Sequence, residues 1–179
     1  MFELDVLKSV TQNLNTLGIP YMLTGSVAAN YYTSPRMTRD FDIVIELESS
    51  DIHSFIKTLS DDFFLDDFSI QDALAQKSMF NIIHKKNIIK IDFIIRKSSI
   101  YRQTEFKRRK EVHFQDFSFW IVSIEDLILS KLDWAKDSFS EMQIKDIKNL
   151  LQNKTIDHSY LNEWIVSLKL ENIWSRACQ

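Results

Sequence analysis

Apolar residues recur at helical spacing in Leu7, Val10, Leu14 and Leu17, which predicts an amphipathic helix over residues 2–17. Gly18 and Pro20 supply its stop signal. The run Tyr21–Thr24 reads as a short strand, Gly25-Ser26 as a tight turn, and Val27–Tyr32 as a short helix. From Asp40 to Leu47 the sequence DFDIVIEL alternates with period two, the mark of a strand. Residues 51–59 carry a helical pattern, with Ser49 or Ser50 as the cap, and residues 63–65 suit a brief strand. Residues 69–76 suit a helix capped by Ser69. Met79–His84 and Ile88–Arg96 are apolar runs joined by Lys85-Lys86-Asn87, which predicts a hairpin. Ser99–Lys110 predicts a basic helix, and His113–Val122 one further strand. A mixed sheet of about four or five strands is expected from these runs.

From Ser123 onward only helical texture remains, over residues 123–136, 140–152, 157–168 (capped by Asp157) and 171–177. The fold class is therefore α+β. A mixed-sheet core with helices on it covers residues 1–122, and a C-terminal helical region packed on that core covers residues 123–179. With 45% hydrophobic residues in 179, the chain can build a real core, and its abundant Phe makes that core aromatic. No stretch approaches the ~20 apolar residues of a membrane span, and Met1–Val10 does not read as a signal peptide. A cytoplasmic protein without membrane contact is expected.

Composition narrows the chemistry further. A single cysteine, Cys178, rules out an internal disulfide framework and a cysteine zinc site. A net charge of −3 argues against a generic nucleic-acid binder. That charge is unevenly spread, with Glu46–Asp72 acidic and Lys85–Lys110 basic, an asymmetry that can mark a binding face. Lys107–Lys110 reads as a solvated helix face or as a guide for RNA. The four histidines show no metal-ligand spacing, and Trp120, Trp134, Trp164 and Trp174 read as core or helix-interface residues.

Chemistry concentrates in the stretch from Tyr21 to Leu47. Gly25 is one of two glycines in the chain, and free N–H groups at the helix start beside Ser26 suit a phosphate. Asp40 and Asp42 share one strand face about 7 Å apart, and carboxylates so placed can converge on divalent ions. Asp92 stands alone in the apolar strand IIKIDFIIR, where an ionised acid is costly without a compensating positive charge. An ion shared with Asp40 and Asp42 would compensate it, and the pattern suits two-metal phosphoryl transfer.

Gly25-Ser26, Asp40-x-Asp42 and a later Asp92 resemble the nucleotidyltransferase superfamily with the polymerase-beta-like fold. The fuller pattern Arg36-x-Thr38-x-Asp40-x-Asp42 is similar to bacterial nucleotidyltransferases related to the AbiEii abortive-infection toxins. Asp126-LILS-Lys131 matches that group's D-x-x-x-x-K element. Its following acid pair is met only by Asp146, with Met142 replacing the first acid. The resemblance implies catalytic and metal-binding roles for Asp40, Asp42 and Asp92, with two Mg2+ ions or Mn2+ in their place. It implies nucleotide contacts from Gly25, Ser26, Arg36 and Lys131, and places Asp126 and Arg39 as lesser candidates. The expected reaction moves a nucleoside monophosphate from a nucleoside triphosphate to an acceptor hydroxyl on RNA, a protein or a small molecule. The alternative expectation is a catalytically silent module that binds a toxin or antitoxin partner.

Overall fold

A computed structural model describes residues 2–34, 38, 40–138 and 140–178. Among them lie seven strands in one sheet of order β3-β4-β5-β2-β1-β7-β6. Helix α1 (Phe2–Leu17) leads into β1 (Tyr21–Thr24), α2 (Gly25–Tyr32) and β2 (Asp40–Ile45). Next come α3 (Ile52–Leu59), β3 (Phe63–Phe64), α4 (Asp67–Gln76) and the hairpin β4 (Met79–His84) and β5 (Lys90–Ile95). Helix α5 (Ile100–Lys107) and the hairpin β6 (Lys110–Phe114) and β7 (Phe117–Ile121) complete the sheet region. The chain then turns helical through α6 (Ile124–Ser138), α7 (Glu141–Leu150), α8 (His158–Ser167) and α9 (Glu171–Ala177). The sheet is mixed: β2 pairs with β5, and β1 with β7, in parallel, while the other pairs are antiparallel.

Three expectations need correction. The sheet has more strands than about four or five, because residues 110–121 form a hairpin and not one strand. Gln115 takes the left-handed conformation at φ 52, so the chain reverses at Gln115-Asp116 without the Gly or Asn that usually announces such a turn. The basic helix accordingly ends at Lys107, and Lys110 opens β6. Asp66, rather than Ser69, caps α4: its carboxylate accepts from the Ser69 backbone N–H (2.8 Å) and hydroxyl (2.6 Å).

The alternation along β2 decides which side of the sheet is dry. Phe41, Ile43 and Ile45 are buried on one face, which is shared with Phe93 of β5 and Phe80 of β4. Phe55 of α3 packs edge-on against both of those rings, 5.5 Å from Phe93 and 5.9 Å from Phe80. Helix α1 packs beside α3 and buries Val6, Leu7, Val10 and Leu14. The other face of the same strands carries the acids. The hydrophobic core continues from these strands into Leu127, Ile128 and Leu132 of α6 and on to Ile147, Leu161 and Ile173.

Candidate functional site

Strand pairing places the candidate acids in rows. Across β1, β2, β5 and β4, Thr24 lies opposite Asp42, Asp42 beside Asp92, and Asp92 opposite Asn81. Paired residues project to the same side of a sheet, so two carboxylates stand side by side in a polar row. One pleat outward, Asp40 pairs with Lys90; one pleat inward, Val44 pairs with Ile94, and Ile94 with Met79. The sequence places Asp40 and Asp42 on one face, but only the parallel β2–β5 register brings Asp92 against Asp42.

Gly25 is fixed by this row. Its φ is 63, and a Cβ there would lie 1.9 Å from Asp42 Oδ2. Any side chain would therefore collide with the carboxylate that the turn faces. The turn opens α2 directly: Thr24 holds the N-cap position without a side-chain capping bond, and Ser26 is half-buried in the first turn. Thr38 donates to the Asp40 carbonyl at 3.3 Å, at the entry to β2. Arg36 and Arg39, the arginine candidates, lie outside the described residues.

The electrostatics are those of crowded acids. Asp92 is only 7% exposed, and Lys90 Nζ lies 2.7 Å from its Oδ2 and 3.9 Å from Asp40 Oδ2. Burial pushes the Asp42 carboxyl above the usual carboxylate range; the Asp92 charge, and to a lesser degree that of Asp40, adds to this. Lys131 and Lys90 pull it the other way. Among the described residues, no three His, Cys, Asp or Glu side chains are drawn together tightly enough to hold an ion. The donor set is nevertheless all oxygen on one face, which suits a hard divalent cation, and the missing Gly25 side chain keeps the Asp42 oxygen accessible.

Lys131 and Asp126, the matched pair in α6, point to different tasks. Lys131 is 4% exposed and donates to Asp146 Oδ2 (2.8 Å) and Gln143 Oε1 (3.0 Å) on α7. Its charge still reaches Asp42. Asp126 is fully buried and accepts from Arg108 Nε (3.0 Å), the Ser123 hydroxyl (2.6 Å) and the Tyr160 hydroxyl (2.7 Å). That network ties α8 and the end of α5 to α6. Arg108 also bonds Glu125 and lies 3.7 Å from the centre of the Tyr160 ring, while Arg109 lies over Phe106 and Trp120. The middle of the Lys107–Lys110 run is thus turned to internal partners and does not form a uniformly solvated face.

Beside the acids lies a cleft of about 760 Å³ that sequence reasoning missed. It runs along the acid-bearing face and surrounds the next row, Val44, Ile94 and Met79; Thr24 from the acid row also lines it, while Asp42 and Asp92 do not. Its walls include Arg102 and Glu105 of α5 and Ser130, Asp133 and Trp134 of α6. Glu105, 2% exposed, accepts from Arg102 (2.9 Å) and from Ser130 (2.6 Å). Burial raises its carboxyl, against the pull of Arg102. Trp134 is 62% exposed and lines this cleft, which corrects its assignment to the core or a helix interface. The i,i+3 pairs Arg102/Glu105 and Ser130/Asp133 were the legible signal, since each puts two polar groups on one helix face.

No family model and no curated protein matches this sequence. Its fold, by contrast, has clear counterparts among solved structures. The lincosamide antibiotic adenylyltransferase LnuA, in its lincomycin-bound form, superposes with a TM-score of 0.54 at 16% identity, covering 80% of this chain and 93% of that one. An antigenic nucleotidyltransferase-like protein from Paracoccidioides brasiliensis gives 0.60 at 19% identity, over 98% and 91% of the two chains. The antibiotic-resistance factor ANT(2'')-Ia gives 0.60 at 7% identity, over 98% and 95%. With its mixed sheet and its C-terminal helices, the chain is built on the fold of these nucleotidyltransferases.

Proposed function

We propose that this protein is a metal-dependent nucleotidyltransferase that moves a nucleoside monophosphate from a nucleoside triphosphate to an acceptor hydroxyl and releases pyrophosphate. The observation that carries the reading is the Asp42–Asp92 pair, in register beside a Gly25 whose missing side chain leaves room for the Asp42 carboxylate. Asp40, Asp42 and Asp92 are the residues that would hold two Mg2+ ions, or Mn2+. When bound, such ions neutralise triphosphate charge and favour the attacking oxygen. The N–H groups opening α2 and the Ser26 hydroxyl suit the triphosphate's outer phosphates. Lys131, steadied by Asp146, adds a fixed positive charge near Asp42. Asp92 would orient the acceptor hydroxyl and take its proton. The acceptor oxygen bonds the α-phosphorus as the bond to pyrophosphate breaks, and rate comes mainly from positioning.

One observation favours the second reading, a silent module that binds a toxin- or antitoxin-type partner: Lys90 already neutralises Asp92. The two readings separate in one assay, transfer of label from each α-labelled nucleoside triphosphate with Mg2+ or Mn2+ into cell fractions. Asp40→Ala/Asp42→Ala protein is expected to lose at least about 10²–10³-fold in transfer. Absence of both transfer and metal-dependent nucleotide binding by calorimetry would leave the silent module.

A further inference from the structure

We infer that the acceptor is a small molecule with an apolar body and an anionic end group, seated in the cleft between the acid-bearing sheet face and helices α5 and α6; this rests on the transfer reading above. The volume of about 760 Å³ lies within the range of sites that enclose small molecules. Its floor is the apolar row Val44, Ile94 and Met79, one pleat from Asp42 and Asp92. A hydroxyl at the acid end of a ligand on that floor therefore meets the reacting groups.

Charge along the cleft is uneven. Arg102 is matched by Glu105 and Asp133, and Arg96 by Glu46. Lys77 and Lys97 are exposed cleft residues, and neither has an ion-pair partner among the described residues. Both stand at the end remote from the acids. Lys77 precedes Ser78, whose carbonyl accepts from the Ile95 N–H at 2.9 Å, and Lys97 follows two residues after Ile95. Five residues of extended chain from Asp92 to Lys97 span roughly 17 Å. The ligand that satisfies both ends has a hydroxyl at one end and a carboxylate, sulfonate or phosphate at the other. An RNA acceptor would need a run of free cations along its backbone. The obvious run, Lys107–Lys110, spends Arg108 on Glu125 and Asp126.

The test has two arms. In the first, the apolar anion 8-anilinonaphthalene-1-sulfonate is titrated into the whole protein and its fluorescence followed. Saturable binding at one site is expected. Lys77→Glu/Lys97→Glu should weaken it about tenfold, by charge reversal at the anion's end. Ile94→Trp, which fills the floor, should abolish it. Absence of saturable binding, or binding indifferent to both variants, overturns the inference. In the second arm, an acidic low-mass fraction of a cell extract, its neutral and cationic counterpart, RNA and protein are each offered as acceptor with labelled nucleoside triphosphate and Mg2+. Label is expected in a low-mass product from the acidic fraction alone, with the lysine variant raising KM and sparing kcat. Label in RNA, in protein or from the non-acidic fraction overturns the small anionic acceptor while leaving nucleotidyl transfer standing. So does loss of nucleotide binding in Ile94→Trp, which would give the cleft to the nucleotide. Absence of low-mass label with metal-dependent nucleotide binding intact also overturns the inference, and loss of both overturns the transfer reading itself.

Discussion

Two acid clusters stand within one molecule and are treated in opposite ways. Asp126 and Glu125, at the start of α6, are saturated: Arg108, Ser123, Tyr160 and the Asp157 backbone N–H all donate to them. Asp40, Asp42 and Asp92, on the open sheet face, crowd one another with Lys90 as the close cation, and the Asp42 carboxyl is raised first by burial and then by the neighbouring acids. A buried acid with a full complement of donors holds helices together. Acids left short of positive charge store a cost that a bound cation can relieve. Among buried carboxylates the useful question is therefore which ones lack partners.

The largest effect on the comparison should come from Gly25→Ala. The left-handed backbone alone costs about 1–2 kcal/mol, and the new Cβ displaces the Asp42 carboxylate. Transfer should fall at least about 10²-fold, with divalent-ion binding by calorimetry lost in step. Retained ion binding would separate the turn from the acids.

Next in size is Asp126→Ala. It leaves the Tyr160 hydroxyl without its acceptor and Arg108 with Glu125 alone, and should cost about 2–3 kcal/mol in urea unfolding, reduced from the full buried-pair figure because Arg108 is partly exposed and keeps that second carboxylate. Residual folded protein should keep its metal-dependent nucleotide affinity. A variant that is fully stable but inactive would move Asp126 from the structural cluster to the site.

Asp42→Asn should act in the opposite direction on stability. An acid whose folded-state pKa is raised favours the fold at low pH, and that contribution is lost as pH rises from the ordinary carboxylate value through the raised one. At neutral pH without divalent ions, Asp42→Asn should therefore raise Tm, by about 2–4 °C for each kcal/mol relieved. Mg2+ should raise the Tm of the unsubstituted protein and leave that of the variant nearly unchanged. Equal Mg2+ responses in the two proteins would remove Asp42 from the ion's ligands.

The smallest effect belongs to Lys131→Met. Its loss takes the Lys131 ammonium from Asp146 and Gln143 on α7 and removes one positive neighbour of Asp42. The expected outcome is a weaker nucleoside triphosphate, by about tenfold in Kd, with Mg2+ affinity little changed.

Much of the architecture was legible because period and punctuation are local properties. The α1 stripe ended by Gly18, the Tyr21–Thr24 strand, the DFDIVI alternation and the Asp157 cap each follow from a few neighbouring residues. The β6–β7 hairpin was not legible, because its turn uses Gln115 at positive φ where Gly or Asn would have signalled it. Alternation alone put Asp40 and Asp42 on one face, and the lone acid in IIKIDFIIR marked Asp92. That Asp92 stands beside Asp42, that Gly25 is pressed against Asp42 and that Lys90 lies between acids are matters of pairing between strands distant in sequence. The tertiary structure likewise divided the two ends of Asp126-LILS-Lys131. Five residues along a helix rotate a side chain well past a full turn, so Asp126 bonds Arg108 and Tyr160 while Lys131 bonds Asp146. The cleft belongs to tertiary structure altogether, since its floor comes from β2, β4 and β5 and its walls from α5 and α6. Sequence fixes which residues carry charge and which face of each element is dry; only packing decides which charges meet and what space lies between them.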